Sequence, residues 1–196
     1  MGGKQAWQRA RHRARYRARQ FFSVAGAAFV PVDESYVIGK LAGQADPARL
    51  LDLFRALTRA EQHHGIEVCR TLERGGWVDP DLFVAALLHD VGKIASPPLL
   101  WERVLVVLVE ALAPRQAEAW GRDVEARATT ALRGWRRGFI VRRNHARWGA
   151  RMAAEAGVLP RAVALIQHHH DDLPAGVAEG PLEPDLLAAL QAADEA

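Results

Sequence analysis

Acid–proline pairs punctuate this chain. Asp46-Pro47 precedes ARLLDLFRAL, Asp79-Pro80 precedes DLFVAALLHD, and Glu183-Pro184 precedes DLLAALQAADEA. A proline at the first helical position lacks an N–H that would have no partner there anyway, and its fixed φ already suits the helix. An aspartate just before it can accept from the next free backbone N–H groups. Such pairs mark helix starts. Other boundaries agree with a helical chain. Thr58 and Glu61 fit a capping box ahead of the segment carrying Gln62, His63, His64, Val68 and Leu72. Pro160 opens RAVALIQHHH, and Asn144 is placed to cap a helix through Ala156, with Gly157 just past its end.

No convincing strand alternation is present apart from VLVVLV, and no repeat of fixed period. That VLVVLV lies within Leu99–Leu112, a run interrupted by Glu102, Arg103 and Glu110, which reads as a buried helix and not a membrane span. With 196 residues, 49% of them apolar, the chain can build one full core. The expected fold is all-α: a helical bundle of residues 23–196 as a single domain, preceded by a basic arm at 1–22.

The arm stands out by charge. Lys4, Arg9, Arg11, Arg13, Arg15, Arg17 and Arg19 occur there without an acid, while the whole chain has a formal net charge of only +3. The body is therefore net negative, and the basic balance reflects the arm. If helical, the arm stacks like charges four residues apart, and nucleic acid or an anionic surface would relieve their repulsion. Trp7 and Tyr16 could add stacking on a single strand. The blander reading, which we prefer, is a solvated arm. Basic residues followed by Phe21–Val30 loosely imitate an export signal, but the charged part is long and the apolar run short. The lone Cys69 excludes an internal disulfide and a multi-cysteine zinc site. A cytoplasmic setting is the expectation.

Histidine carries the chemistry. In Ala85-Ala86-Leu87-Leu88-His89-Asp90-Val91-Gly92-Lys93 an apolar helix ends in an imidazole and a carboxylate, a glycine that permits a sharp exit, and a lysine able to hold a phosphate oxygen. Alone, this segment reads equally as a helix end with His89 and Lys93 satisfying carbonyls. Its partners are His64 before it, then His145, the His168-His169-His170 run, and Asp194.

The order His64, His89-Asp90, His145, His169-His170, Asp194 resembles the HD superfamily of metal-dependent phosphohydrolases, over roughly residues 58–196. The resemblance implies that His64, His89, Asp90 and Asp194 form the four-residue set that defines the superfamily. His145, in Asn144-His145-Ala146-Arg147-Trp148-Gly149, is similar to the His-x-x-x-Gly element of the two-metal subgroup. In that subgroup an isoleucine stands three residues before paired histidines, as Ile166 does before His169 and His170. His63 and His168 rank below their neighbours as ligands. The chain departs from the branch that degrades cyclic di-GMP, because Asp171-Asp172-Leu173-Pro174 replaces its Gly-Tyr-Pro element.

Mixed imidazole and carboxylate ligands suit one or two divalent ions such as Mn²⁺, Fe²⁺, Ni²⁺, Co²⁺ or Zn²⁺, with Mg²⁺ also compatible. Asp90 between two ions could give one oxygen to each, and a hydroxide held between them would be the nucleophile. Asp90 and Lys93 are thus the expected catalytic residues, with Arg142, Arg143 and Arg147 as further cations on a face that reads more simply as solvated. The implied activity is hydrolysis of a phosphomonoester or phosphodiester, with a nucleotide as the expected substrate. Two other classes stay open: a nucleic-acid-binding module using the arm, and an HD-type di-iron oxygenase.

Overall fold

The computed structural model describes residues 30–97, 99–121, 134–171 and 182–196. In chain order the helices are α1 (Glu34–Leu41), α2 (Pro47–Arg55), α3 (Arg59–Arg74), α4 (Pro80–Leu88), α5 (Leu100–Leu112), α6 (Pro114–Gly121), α7 (Arg137–Glu155), α8 (Pro160–His168) and α9 (Pro184–Asp194). A 3₁₀ turn, Val91–Ala95, follows α4, and the described residues contain no strand. The chain is all-α. The expected arm and its boundary after residue 22 lie outside the described residues.

The capping chemistry read from the sequence is in place. Asp46 accepts from the Arg49 N–H at 3.0 Å and Asp79 from the Leu82 N–H at 3.0 Å. Thr58 and Glu61 close a reciprocal capping box. Two short helices, α1 and α6, had not been expected. Each has eight residues, about two turns, too few for periodicity to register. Helix α7 corrects a third expectation, since it begins at Arg137 and Asn144 lies inside it. Phe139, Ile140 and Val141 are buried in the turns before Asn144, so packing carries the helix through a residue suited to starting one. Its end is as expected, with Gly157 at a φ of +91° just beyond.

The described residues cluster into two compact units. The larger comprises Pro31–Pro97 and Asn144–Ala196. At its centre is α4, where every residue from Leu82 to Leu88 is buried. Such a helix must be apolar on all faces, and α3, α8, α9, α1 and α2 pack around it. Burying each of its Leu, Val and Phe side chains contributes about 1.5–3 kcal/mol. At nine residues α4 would not be stable alone, so tertiary packing holds it.

The smaller unit lies between Pro98 and Arg143. Val106 of α5, Ala117 of α6 and Phe139 from the first turn of α7 make its core. Trp120 stands edge-on to Phe139 and to Trp135. Arg137 grips both oxygens of the buried Glu102, at 2.9 and 2.7 Å. The run read as a buried helix is a helix, but it is not buried. Leu105, Val106 and Val109 face inward, while Trp101, Val104, Leu108 and Leu112 are exposed. A helix covered along one stripe leaves its opposite face to solvent. Among the described residues no helix is long and apolar enough to cross a membrane.

Cys69 reports on the α3–α4 contact. It is fully buried, its thiol donates to the Phe83 carbonyl at 3.4 Å, and burial pushes its pKa up. Native protein is expected to resist iodoacetamide at pH 8 and to react at Cys69 once unfolded in guanidinium. Rapid labelling of the native state would show that this helix pair opens.

Candidate metal centre

Helix ends build this site. His89 is the C-cap of α4, His169 the C-cap of α8, and Asp194 the last residue of α9. His64 projects from α3 and His145 from α7. Contacts at both ends show that α4, α8 and α9 run parallel. Their starts meet through Arg161 of α8, which binds Asp79, Asp81 and Glu183. Their far ends meet where His89 faces His169, with ring centroids 5.1 Å apart, and Asp194, at 3.5 Å. Three negative helix termini, each worth about half an elementary charge, thus point at one place. A cation is favoured there before any side chain is counted.

The side chains sharpen that preference. Nδ1 of His89 lies 2.8 Å from the Ala86 carbonyl, and Nδ1 of His169 lies 2.7 Å from the Ile166 carbonyl. A carbonyl can only accept, so both Nδ1 atoms carry the hydrogen, and Nε2 is the nitrogen that presents a lone pair in the neutral ring. These two Nε2 atoms are buried without a hydrogen-bond partner. At 3.5 Å the approach of Asp194 to His89 is an ion-pair contact rather than a hydrogen bond. Buried acceptors left over in this way fit a metal, whose bond would satisfy them.

The candidate ligand atoms fall into two groups. Nε2 of His64 is 2.7 Å from Asp194 Oδ1, and His64, His89 and Asp90 converge within 4.8 Å of one another. His145, His169 and His170 converge equally tightly, and the Nε2 atoms of His145 and His170 are 3.2 Å apart. Asp90, a member of the first group, also faces the second. Its Oδ2 is 3.7 Å from His89 Nε2, and its Oδ1 is 3.5 Å from His145 Nε2. Lys93, one 3₁₀ turn later, is hydrogen-bonded to Asp90 Oδ2.

Charge balance follows from this packing. Burial works against ionised Asp90, but the Lys93 ammonium, then His89, His145 and His64, hold its carboxyl well below the usual range. Asp194 is likewise held low against burial by His89 and His64. Burial also opposes charge on His89, yet Asp90 and Asp194 outweigh it and push its pKa up to about 9. His169, beside His89, is pushed down to about 4 by burial and by that neighbouring charge. The carboxylates ask for positive charge: His89 supplies it as a proton that a bound cation would replace, and His169 offers a neutral nitrogen.

Gly92 has a different role from the sharp exit expected of it, since its φ is not positive. A Cβ there would lie 1.9 Å from the His145 carbonyl oxygen and 2.6 Å from the Gly149 nitrogen. Gly149 in turn faces Gly92 N at 3.0 Å from its own virtual Cβ. Two glycines let the backbone after Asp90 rest directly on the backbone of α7, which brings His145 to Asp90.

All seven residues expected as ligands, His64, His89, Asp90, His145, His169, His170 and Asp194, lie at these two groups or between them, and Lys93 adjoins them. His168 turns outward to Asp171 at 2.7 Å, and neither it nor His63 belongs to either group. Arg142 and Arg143 pair with Glu110 and Glu118. Arg147 follows His145 by two residues, which turns it to the opposite side of α7. The carbonyls of Ala86 and Ile166 were missed from sequence. The available signal was a histidine directly at a helix C-cap, whose ring can fold back onto the carbonyl three residues earlier. His12 lies outside the described residues.

A family model described as HD domain matches residues 63–195. No curated protein and no solved structure matches the chain.

Gly92→Ala tests the backbone contact. Neither partner atom is at the end of a flexible side chain, so the substitution is expected to cost roughly 1–3 kcal/mol, or more, by overpacking. It should also weaken metal binding by displacing His145. Thermal unfolding and metal titration check both, and an unchanged melting temperature would contradict the contact.

Proposed function

Because the chain belongs to the HD domain family, we propose that it is a metal-dependent phosphohydrolase acting on a phosphomonoester or phosphodiester, specifically that of a nucleotide. The observation that carries this reading is the position of Asp90, whose two oxygens face two different histidine groups. A structural metal site needs one closed set of ligands. A carboxylate shared between two adjacent sets suits a two-ion centre, the arrangement that hydrolyses phosphate esters.

In this reading His64, His89, Asp90 and Asp194 hold one ion, and Asp90, His145, His169 and His170 hold the other. Bound ions would supply Lewis acidity toward phosphoryl oxygens and lower the pKa of a water molecule. Ala86 and Ile166 fix the tautomers of His89 and His169, so each ring offers Nε2 without rearrangement. Lys93 neutralises Asp90 at rest and is placed to take a phosphoryl oxygen when substrate brings its own negative charge. Imidazole-rich ligation favours Mn²⁺, Fe²⁺, Ni²⁺, Co²⁺ or Zn²⁺ over Ca²⁺.

Gently purified protein is expected to carry one or two divalent ions per chain by elemental analysis. A metal-supplemented screen should then release phosphate, or open a diester, with nucleoside phosphates or linear or cyclic dinucleotides. Absence of stoichiometric metal under every loading condition would remove the proposal. Oxygen consumption without phosphate release would instead favour di-iron oxygenase chemistry.

Asp90→Asn keeps the side-chain volume and removes the charge. It is expected to lose metal from one or both sites while circular dichroism stays helical, because Leu82, Val84, Leu87 and Leu88 still pack. Turnover should fall by roughly two orders of magnitude or more, since each ~1.4 kcal/mol of lost transition-state stabilisation is tenfold. Full metal occupancy and unchanged turnover would reduce the His89-Asp90 pair to a helix ending.

A further inference from the structure

Three helices deliver ligands at one end, and one side chain joins their other ends. Arg161, in the first turn of α8, gives each guanidinium nitrogen to a different carboxylate. Its Nε donates to Asp81 Oδ2 at 2.8 Å, its Nη1 to Glu183 Oε1 at 2.8 Å, and its Nη2 to Asp79 Oδ2. Asp79 is the N-cap of α4, Asp81 lies in its first turn, and Glu183 is the N-cap of α9. The planar fork is what allows a three-way junction, and a lysine offers no equivalent geometry.

From this junction α4 and α8 each run nine residues and α9 eleven, about 13 and 16 Å, to His89, His169 and Asp194. All three begin with proline at the first helical position. They therefore share a common starting level, and their lengths set where the ligand-bearing ends fall. Slipping one helix by a single residue would turn its end by about 100°, enough to swing a ligand out of the site. Metal ligands must be placed to a few tenths of an ångström. We propose that Arg161 is a positioning residue for the metal centre, fixing the register of α4, α8 and α9 so that their C-terminal ligands converge. This rests on the metal-centre reading above.

A plain stabilising role is the competitor, and the protein contains a comparison for it. Arg55 also holds two acids, Glu34 at 2.8 Å and Asp52 at 3.5 Å, but it joins α1 to α2, which carry none of the proposed ligands. Removing Arg55 tests the loss of an ion-pair cluster. Removing Arg161 tests the loss of register as well.

The experiment uses full-length protein loaded with Co²⁺, reading affinity by competition with a chromophoric chelator and ligand geometry by visible absorption. Arg161→Met is expected to weaken Co²⁺ binding roughly tenfold or more, the range for residues that orient ligands, and to change the absorption bands. Arg161→Lys should recover part of the loss. Glu183→Gln, which frees α9 alone, should shift both readouts in the same direction by less. Arg55→Met should leave both unchanged. Wild-type Co²⁺ affinity and spectrum in Arg161→Met, with only the melting temperature lowered, would overturn the proposal. If Arg161→Met does not fold, Glu183→Gln decides, and unchanged Co²⁺ binding in that variant overturns it. A wild-type protein that binds no Co²⁺ removes the metal-centre reading and this proposal together, an outcome distinct from wild-type binding with unaffected variants.

Discussion

A carboxylate buried as deeply as Asp90 has to be compensated, and the larger unit is organised around doing so. An isolated anion in such surroundings would take up a proton instead. Here Lys93 approaches one of its oxygens directly, His89 and His145 stand on either side, and three helices aim their C-terminal ends nearby. Those termini add negative charge, which makes the compensation harder and the site more selective for cations. Asp194 adds a second carboxylate. The balance is met by the Lys93 ammonium and by charge on His89, while His169 beside them is held neutral.

Close backbone approach makes that compensation geometrically attainable. Imidazole and carboxylate side chains are short, so elements carrying them must come nearly into contact. Gly92 against Gly149 brings the chain after Asp90 onto α7, and Gly65 next to His64 faces the Leu87 and Ala86 carbonyls at 3.2 and 3.3 Å from its virtual Cβ. The site is polar, but the contacts that shape it are between backbones lacking a side chain. The apolar α4, buried on every face, is the rigid member on which the others are assembled.

Much of this was legible in the residues because it depended on local chemistry. The Asp–Pro pairs at 46 and 79 and the Thr58–Glu61 box act within one turn, and their hydrogen bonds form as their types require. The His-Asp-Val-Gly-Lys segment and the later histidines marked, by kind and order, the residues that the fold brings together. What escaped depended on distant partners. Asn144 looked like a cap until the burial of Phe139, Ile140 and Val141 carried α7 past it. The exposed face of α5 could not be told from a buried one, because an apolar run does not say how many neighbours it has. Gly92 was recognised as special, but a glycine needed for close approach and one needed for a turn are written the same way. Nothing local marks Arg161, because its three acids, Asp79, Asp81 and Glu183, come from two distant parts of the chain.

The pairing of His64 with Asp194 joins residues 130 positions apart. Helices such as α3 can nucleate locally within microseconds, but this contact must wait until nearly the whole described chain has been drawn together. Closing so long a segment costs only a little more entropy than closing a shorter one, since the penalty grows with the logarithm of length. Its effect is on order of events rather than on final stability. A cluster that includes so distant a pair is complete only once the helices have docked, so a chain that has gained most of its helix still lacks the complete centre. Helical content and competence are therefore separable properties of this protein, and a preparation rich in the first need not possess the second.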